Sequence, residues 1–480
     1  MSSDFCDIHP VKSIPGDLIG VRTVVLNVRS YAGFTYDGAN HMFGWFYEAQ
    51  PCMGDEDVAK FPLLLWFNGG PGASSMFGAM SENGPYLMDA SGLVVENPYA
   101  WNQQAHIMYW DNPVGAGYSY TDKGEKGFVT NEVEVGERMY QALQAFFKDD
   151  RYEKYAACDL YVTGESYGGK YIPAICNVIR QKKYGLDPGS KVSPPDPQDV
   201  EINLKGMAIG NPYMDPPLQC EKRLECGFEL GFLDTRQHEK LMKNFGKLEE
   251  ALSKGEYVTA FNYNQGIKKD LVACGGNVAI YDVRIWDVDL LGPLVETYFR
   301  LDAVKEALHV PVDQPWNCAD ETGPVTKALM KDFMTPSSQK SLEPMLDKVV
   351  DGKPVYRVLI YTGNLDMSCG IAGTEAMLWN LKWDHTDDWR NKTVRQVWAS
   401  PRSTRLLPQE HRYRAVPGHT KGFVKQCANL TQIVVPGSGH MVPSCQPEVS
   451  LEMINLFIYG KDCPSYETPI AEKYPDEIDG

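Results

Sequence analysis

Short, almost unbroken apolar runs recur along the chain, and each ends abruptly in turn residues. Residues 62–67 run into Asn68-Gly-Gly-Pro-Gly72, 106–111 into Asn112-Pro113, and 159–163 into Gly164. Residues 206–209 run into Gly210-Asn-Pro, 355–361 into Thr362-Gly363, and 432–435 into Pro436-Gly437. Such runs, bounded by Gly and Pro, predict strands buried on both faces. Between them, residues 133–147, 168–181 and 449–459 carry apolar positions at helical spacing. Strands alternating with helices predict an α/β fold: a mostly parallel central sheet with helices on both faces. Sheets of this kind place their sites at the carboxyl ends of the strands, in the loops just named.

Residues 215–308 break the pattern. They are rich in Lys and Glu, show helical spacing at 236–254, and contain no comparable strand run. They predict a mainly helical insertion that caps the sheet edge. The organisation is then a first core part at 1–214, the cap at 215–308, a second core part at 309–470 and an acidic tail at 471–480. Residues 185–199, rich in Pro, Gly and Asp, predict an exposed loop. No internal repeat is visible.

Composition narrows the class. With 480 residues the chain can bury a large core, and 43% apolar with 23% charged residues is ordinary for a globular protein. A net charge of −17 argues against a nucleic-acid partner. No segment is long and apolar enough to span a bilayer. The start, Met1-Ser-Ser-Asp-Phe-Cys, lacks the apolar core of a signal peptide, so a secretory protein with this start would have lost its leader. The 12 Cys lack metal-ligand spacing and predict disulfides formed in an oxidising compartment, with no metal site. Two sequons, at Asn391 and Asn429, predict glycosylation in the same setting.

The chemistry enters at Gly164-Glu-Ser-Tyr-Gly168. This G-x-S-x-G motif follows one predicted strand and precedes one predicted helix, the context of a nucleophile elbow in an α/β-hydrolase. The turn would expose the Ser166 hydroxyl above the sheet, with the Tyr167 N–H aimed at a developing oxyanion. A serine nucleophile needs a base, and the base needs a carboxylate. His440 and Asp366 each follow a predicted strand, and the order Ser166, Asp366, His440 is the one this fold uses. Taken singly, Asp366 reads better as a helix cap and His440 as a surface loop histidine; three such residues in order do not. His385 reads as solvated and His419 as a turn residue.

With these residues in view, the chain resembles the serine carboxypeptidase family. The resemblance rests on Trp66-Phe-Asn-Gly-Gly-Pro-Gly72, Asp111-Asn-Pro-Val-Gly-Ala-Gly-Tyr-Ser-Tyr120, Gly164-Glu-Ser-Tyr-Gly-Gly169 and Gly439-His-Met-Val-Pro443. It implies a triad of Ser166, Asp366 and His440, and an oxyanion hole from the N–H groups of Gly70 and Tyr167. It also implies that Asn68, the Gly69 backbone, Glu82 and Glu165 hold the C-terminal carboxylate of a peptide. Two nearby buried glutamates cannot both ionise cheaply, so one should stay protonated and donate to that carboxylate, best at acidic pH. Without the resemblance, Glu165 would read as a turn residue and Glu82 as a helix-end charge.

The implied activity is removal of C-terminal residues through an acyl-enzyme, without cofactor or metal, in a lysosome- or vacuole-like compartment or outside the cell. An acyltransferase or esterase on the same scaffold, or an added protective role toward partner enzymes, are the competing readings; the intact Glu165 and the carboxylate-binding set favour the peptidase. A homodimer is one option for assembly. Two departures stand out. Ala73 occupies a position where the family commonly has Cys, so its usual partner, which corresponds to Cys318, must be free or paired elsewhere, with Cys6 and Cys52 as candidates. Asn364 stands where Asp is frequent. Cys369 matches a position that is a free thiol near the site in some family members.

Overall fold

The apolar runs become the inner strands of a twelve-stranded mixed sheet in a computed structural model, which describes residues 5–286, 291–317, 323–336, 338–399 and 420–460. His106–Trp110, Leu63–Phe67, Leu160–Glu165, Leu204–Gly210, Arg357–Gly363 and Leu430–Val435 lie side by side in that order, all parallel. Antiparallel strands extend both flanks: Asn40–Tyr47, Ser30–Asp37 and Cys6–Pro10 on one, with the short Tyr120–Thr121 also paired to Asn40–Tyr47, and Thr420–Cys427 and Gln396–Ala399 on the other. The expected α/β-hydrolase architecture holds, with the sheet more mixed at its edges than the apolar runs suggest.

Alternate residues of each inner strand serve opposite faces. Leu63, Leu65 and Phe67 pack under the helices Glu132–Phe147 and Gly168–Tyr184. Leu64 and Trp66 point the other way, into a second core shared with the helix Pro447–Tyr459. Burial on both faces explains why these strands carry no polar alternation.

The helices Pro216–Glu229, Thr235–Ser253 and Tyr257–Cys274 enclose a separate core around Leu224, Leu241, Phe245, Leu248 and Leu271. Asp234 begins the middle helix with a capping box, its side chain accepting from Gln237 N and Gln237 returning a contact to Asp234 N. This small core meets the body at Met334 and Met367. The later helices Leu291–Phe299 and Asp302–Ala307 behave differently: Val295, Tyr298, Phe299 and Val304 join the core on the Pro447–Tyr459 face. Among the described residues no helix is long and apolar enough to cross a membrane.

Two sequence expectations are corrected. The ten described cysteines are all free thiols, so no disulfide framework forms among them. Cys6, Cys52, Cys158, Cys176, Cys220, Cys369 and Cys427 are buried, where a thiol packs as a small apolar side chain. Cys318 lies outside the described residues, as do His419 and the tail 471–480. Asn429 cannot be a glycan acceptor in the folded chain. Its side chain is buried and its Nδ2 donates to the carbonyls of Leu346 (3.1 Å) and Tyr356 (2.9 Å), tying three segments together. Asn391, by contrast, is exposed at the end of the helix Thr386–Asn391.

Candidate active site

Ser166 sits at the sharp turn between the strand Leu160–Glu165 and the helix Gly168–Tyr184, with φ at 58°. A left-handed serine is costly for an L-residue and is held here by its surroundings. Its N–H donates to Gly210 O (3.0 Å), and its carbonyl accepts from Gly169 N and Tyr213 N, both at 2.8 Å. The flanking glycines have a steric reason: a Cβ on Gly164 would lie 2.1 Å from Phe67 O, and one on Gly169 would lie 2.8 Å from Tyr213 N.

The loop after Phe67 closes over this turn. A Cβ on Gly69 would stand 2.3 Å from Tyr167 N and 2.6 Å from Ser166 Cβ, so only glycine allows the approach. Gly70, with φ at 109°, borders one cavity of about 340 Å³ together with Ser166 and Tyr167. The loop is held from behind by buried Asp111, whose Oδ1 accepts from Ser74 Oγ (2.5 Å) and Ser75 N (3.0 Å) and whose Oδ2 accepts from Tyr118 N (2.8 Å).

Asp366 and His440 come from adjacent parallel strands, Arg357–Gly363 and Leu430–Val435. His440 Nδ1 lies 2.7 Å from Asp366 Oδ2. A carboxylate only accepts, so Nδ1 carries the proton and Nε2 is the basic nitrogen. Asp366 is itself fixed by Asn211 Nδ2 (2.7 Å), Ser368 N (2.7 Å) and Cys369 N (3.2 Å). Among the described residues Asp366, Cys369 and His440 are the one group whose donor atoms converge as metal ligands would, all within 4.8 Å. The direct Asp366–His440 hydrogen bond occupies the space an ion would need between them.

The third group is wholly buried. Asn68 Nδ2 donates to Glu82 Oε1 (3.0 Å) and to Glu165 Oε1 (3.1 Å). Its Oδ1 accepts from Trp66 Nε1 (2.9 Å) and Gly78 N (3.0 Å), which fixes the amide orientation. Burial pushes Glu82 above the usual carboxyl range. Burial, and then the Glu82 charge, push Glu165 well above it. Each carboxyl keeps one buried oxygen, Glu82 Oε2 and Glu165 Oε2, that no hydrogen-bond donor reaches. A proton kept by one of the two carboxyls would supply the missing donor.

Several contributors were invisible in the sequence. Asn211, read there only as part of a turn, holds Asp366 and accepts from Gly363 N (3.1 Å) with its Oδ1. The segment that follows the helix Tyr257–Cys274 laces both loops. Tyr281 O accepts from His440 N (2.7 Å), Ile280 O accepts from Met367 N (2.9 Å) and Ser368 N (3.0 Å), and Val283 N donates to Leu365 O (3.0 Å). Asn364 serves structure: its Oδ1 accepts from Gly437 N at 2.8 Å. Cys369 borders the cavity beside Ser166, its thiol pushed far up, first by burial and then by the Asp366 charge.

Comparison with known proteins gives a consistent answer. The family model for serine carboxypeptidase matches residues 20–460. A probable serine carboxypeptidase CPVL of Pongo abelii is 33% identical over 454 residues, covering 92% of this chain and 85% of the relative. A venom serine carboxypeptidase of Apis mellifera is 31% identical over 450 residues, covering 90% and 85%. Among solved structures, a prohormone-processing carboxypeptidase of Saccharomyces cerevisiae, KEX1(delta)p, superposes with a TM-score of 0.72 at 22% identity, covering 90% of this chain and 92% of that one. That likeness concerns the fold.

Proposed function

The chain belongs to the serine carboxypeptidase family and is a peptide hydrolase of that type, and from that premise we propose how its site residues divide the work. Ser166 Oγ attacks the carbonyl of the last peptide bond. His440 Nε2 takes the hydroxyl proton and returns it to the leaving amine, and Asp366 holds the imidazole and stabilises its charged form. The N–H groups of Gly70 and Tyr167 receive the oxyanion. Water then cleaves the acyl-enzyme by the same route.

Asn68, the Gly69 backbone, Glu82 and Glu165 hold the terminal carboxylate of the substrate. The observation that supports this is the buried, Asn68-bridged glutamate pair, whose Glu165 directly precedes Ser166. At acidic pH the pair carries a proton and donates to the carboxylate. As pH rises the pair ionises, loses its donor and repels the carboxylate, so affinity falls. This fits work in an acidic lysosome- or vacuole-like compartment or in a secretion. The exposed Asn391 sequon and the venom origin named for the honeybee relative are in keeping with either.

The test compares a blocked dipeptide with its C-terminal amide at pH 5 and pH 8. For the acid, KM should rise at least about tenfold between the two, as expected for repulsion worth more than about 1.4 kcal/mol. The amide should respond far less. Glu165→Gln should flatten the acid's profile, and Ser166→Ala should abolish turnover. Equal pH dependence for acid and amide would overturn the clamp.

A further inference from the structure

The cavity beside Ser166 has a chemical character that neither the triad nor the carboxylate-binding group uses. Gly70, Ser166 and Tyr167 border it, whereas Asn68, Glu82, Glu165 and His440 do not. The leaving amino acid departs toward His440 and the carboxylate-binding group, so this cavity receives the acyl side, the residue that precedes the scissile bond. Its far wall comes from the helical insertion: Arg223 from the helix Pro216–Glu229, and Asn264, Gln265 and Lys268 from the helix Tyr257–Cys274.

Arg223 is the unusual member. It is 96% buried by its 4% relative exposure. Its Nε and Nη2 both donate to Ser368 O, at 3.3 and 3.1 Å. Its remaining nitrogen, Nη1, is buried without a hydrogen-bond partner, as is Tyr213 Oη on the same cavity wall. A buried guanidinium nitrogen without an acceptor is costly; with almost no surface open to the cavity, Nη1 would meet a ligand's acceptor only once the Arg223 side chain turns toward it. Lys268 adds a second cation at the cavity, its ammonium 5.6 Å from the centre of the Tyr281 ring. Not one Asp or Glu is among the described residues bordering this cavity, in a chain whose net charge is −17. The cationic wall is therefore a local feature set against the overall charge.

We propose that this cavity selects peptides with an acidic side chain, Glu or Asp, immediately before the residue that is removed, with Arg223 as the specificity-determining side chain and Lys268 in support. The inference rests on the carboxypeptidase reading above. A planar guanidinium with a spare N–H matches a carboxylate better than a neutral amide of the same shape.

The experiment measures kcat/KM for blocked dipeptides with a common C-terminal leucine and Glu, Gln or Leu before it, at about pH 6, where a Glu side chain is ionised. The Glu-to-Gln ratio within one enzyme preparation cancels any loss of active protein. Wild type should favour Glu over Gln by at least about tenfold, the scale of a hydrogen bond to a charged group. The ratio should fall toward one at about pH 3.5 as the substrate side chain is protonated. Arg223→Gln should collapse it at pH 6, and Lys268→Gln, which leaves the Ser368 contacts intact, should reduce it about threefold. A wild-type ratio of one or less, or a ratio that survives both substitutions, would overturn the proposal while the Leu substrate still reports a working carboxypeptidase. Absence of hydrolysis on every substrate would overturn both readings.

Discussion

Asn211 occupies a position that few residues tolerate, with φ at 39°, and uses both ends of its amide there. Nδ2 fixes Asp366 Oδ2, and Oδ1 accepts from the N–H of Gly363, at the end of the strand that carries Asp366. It is a positioning residue: it acts on the imidazole through the carboxylate and has no call on the substrate. Asn211→Ala should therefore lower kcat by about 10- to 100-fold, in the range of other orienting partners, with KM within about threefold. Asn211→Asp should be worse, because it sets a second carboxylate against Asp366. A rise in KM at unchanged kcat would contradict this role. Residues such as Ser166, Asp366 and His440 were legible in the chain because each follows an apolar run in a fixed order. Asn211 was not, because its function depends on the strands Leu204–Gly210 and Arg357–Gly363 being neighbours, and sheet order is not written locally. The same holds for Arg223, which in the sequence is one more charge on an amphipathic helix. The opposite error occurred at Asn429, where a triplet that signals an exposed glycan site is buried by its place at the start of a strand.

At the scale of elements, what could be read from the chain follows from burial. The six inner strands are covered on both faces and appear as continuous apolar runs. The flanking antiparallel strands are interrupted by Gly, His, Thr and Tyr and lack that signature. Even so, Asp37-Gly38 marks the Ser30–Asp37 to Asn40–Tyr47 hairpin, with Gly38 at φ 59°, and was a usable turn signal. The helical character of the stretch that follows Asp215 was visible as a change of composition. Its grip on the site was not, because it runs through main-chain atoms of Ile280, Tyr281 and Val283 that any sequence could supply. That grip makes a prediction. A Cβ on Gly439 would lie 2.5 Å from Tyr281 O, the carbonyl that holds His440 N. Gly439→Ala must push the insertion and the histidine loop apart. The expected result is a loss of kcat of about 100-fold, since displacements near 1 Å at a catalytic group cost that much. The circular dichroism spectrum should stay near wild type, because the contact lies outside the regular elements. Full activity in Gly439→Ala would mean that the insertion does not set the position of His440.

Across the whole molecule, the buried acids proposed to hold the substrate also bear on stability. Glu82 and Glu165 are raised by burial, and burial also lifts Asp111 to about 7. In the folded chain these groups keep protons that the unfolded chain, with carboxyls near about 4, has already released. Where the native state binds more protons, stability falls as pH rises. His106 works in the opposite sense. Burial lowers it to about 4, its Nδ1 accepts from Ala49 N, and its Nε2 donates to Val58 O. It costs stability only below about pH 6.5, where an unfolded histidine takes up a proton. Above that value His106 is silent and the buried acids, Glu132 among them, lower stability as pH rises, with the growing negative charge of a chain already at −17 acting in the same direction and buried Lys170, which burial lowers, opposing them. Tm should accordingly fall between about pH 6.5 and 8.5, by roughly 2–5 °C for a protein of this size. Glu165→Gln removes one ionisable carboxyl from the buried pair while keeping an amide of the same shape. Its Tm should fall less over that interval than the wild type's, and its turnover of C-terminal acids should lose the acid preference. If the pair binds substrate at acidic pH by resisting ionisation, as proposed, it must weigh against the fold when it is made to ionise. If Glu165→Gln flattened the activity profile but left the slope of Tm against pH unchanged, the proton held by the pair would belong to the complex with substrate and not to the free fold.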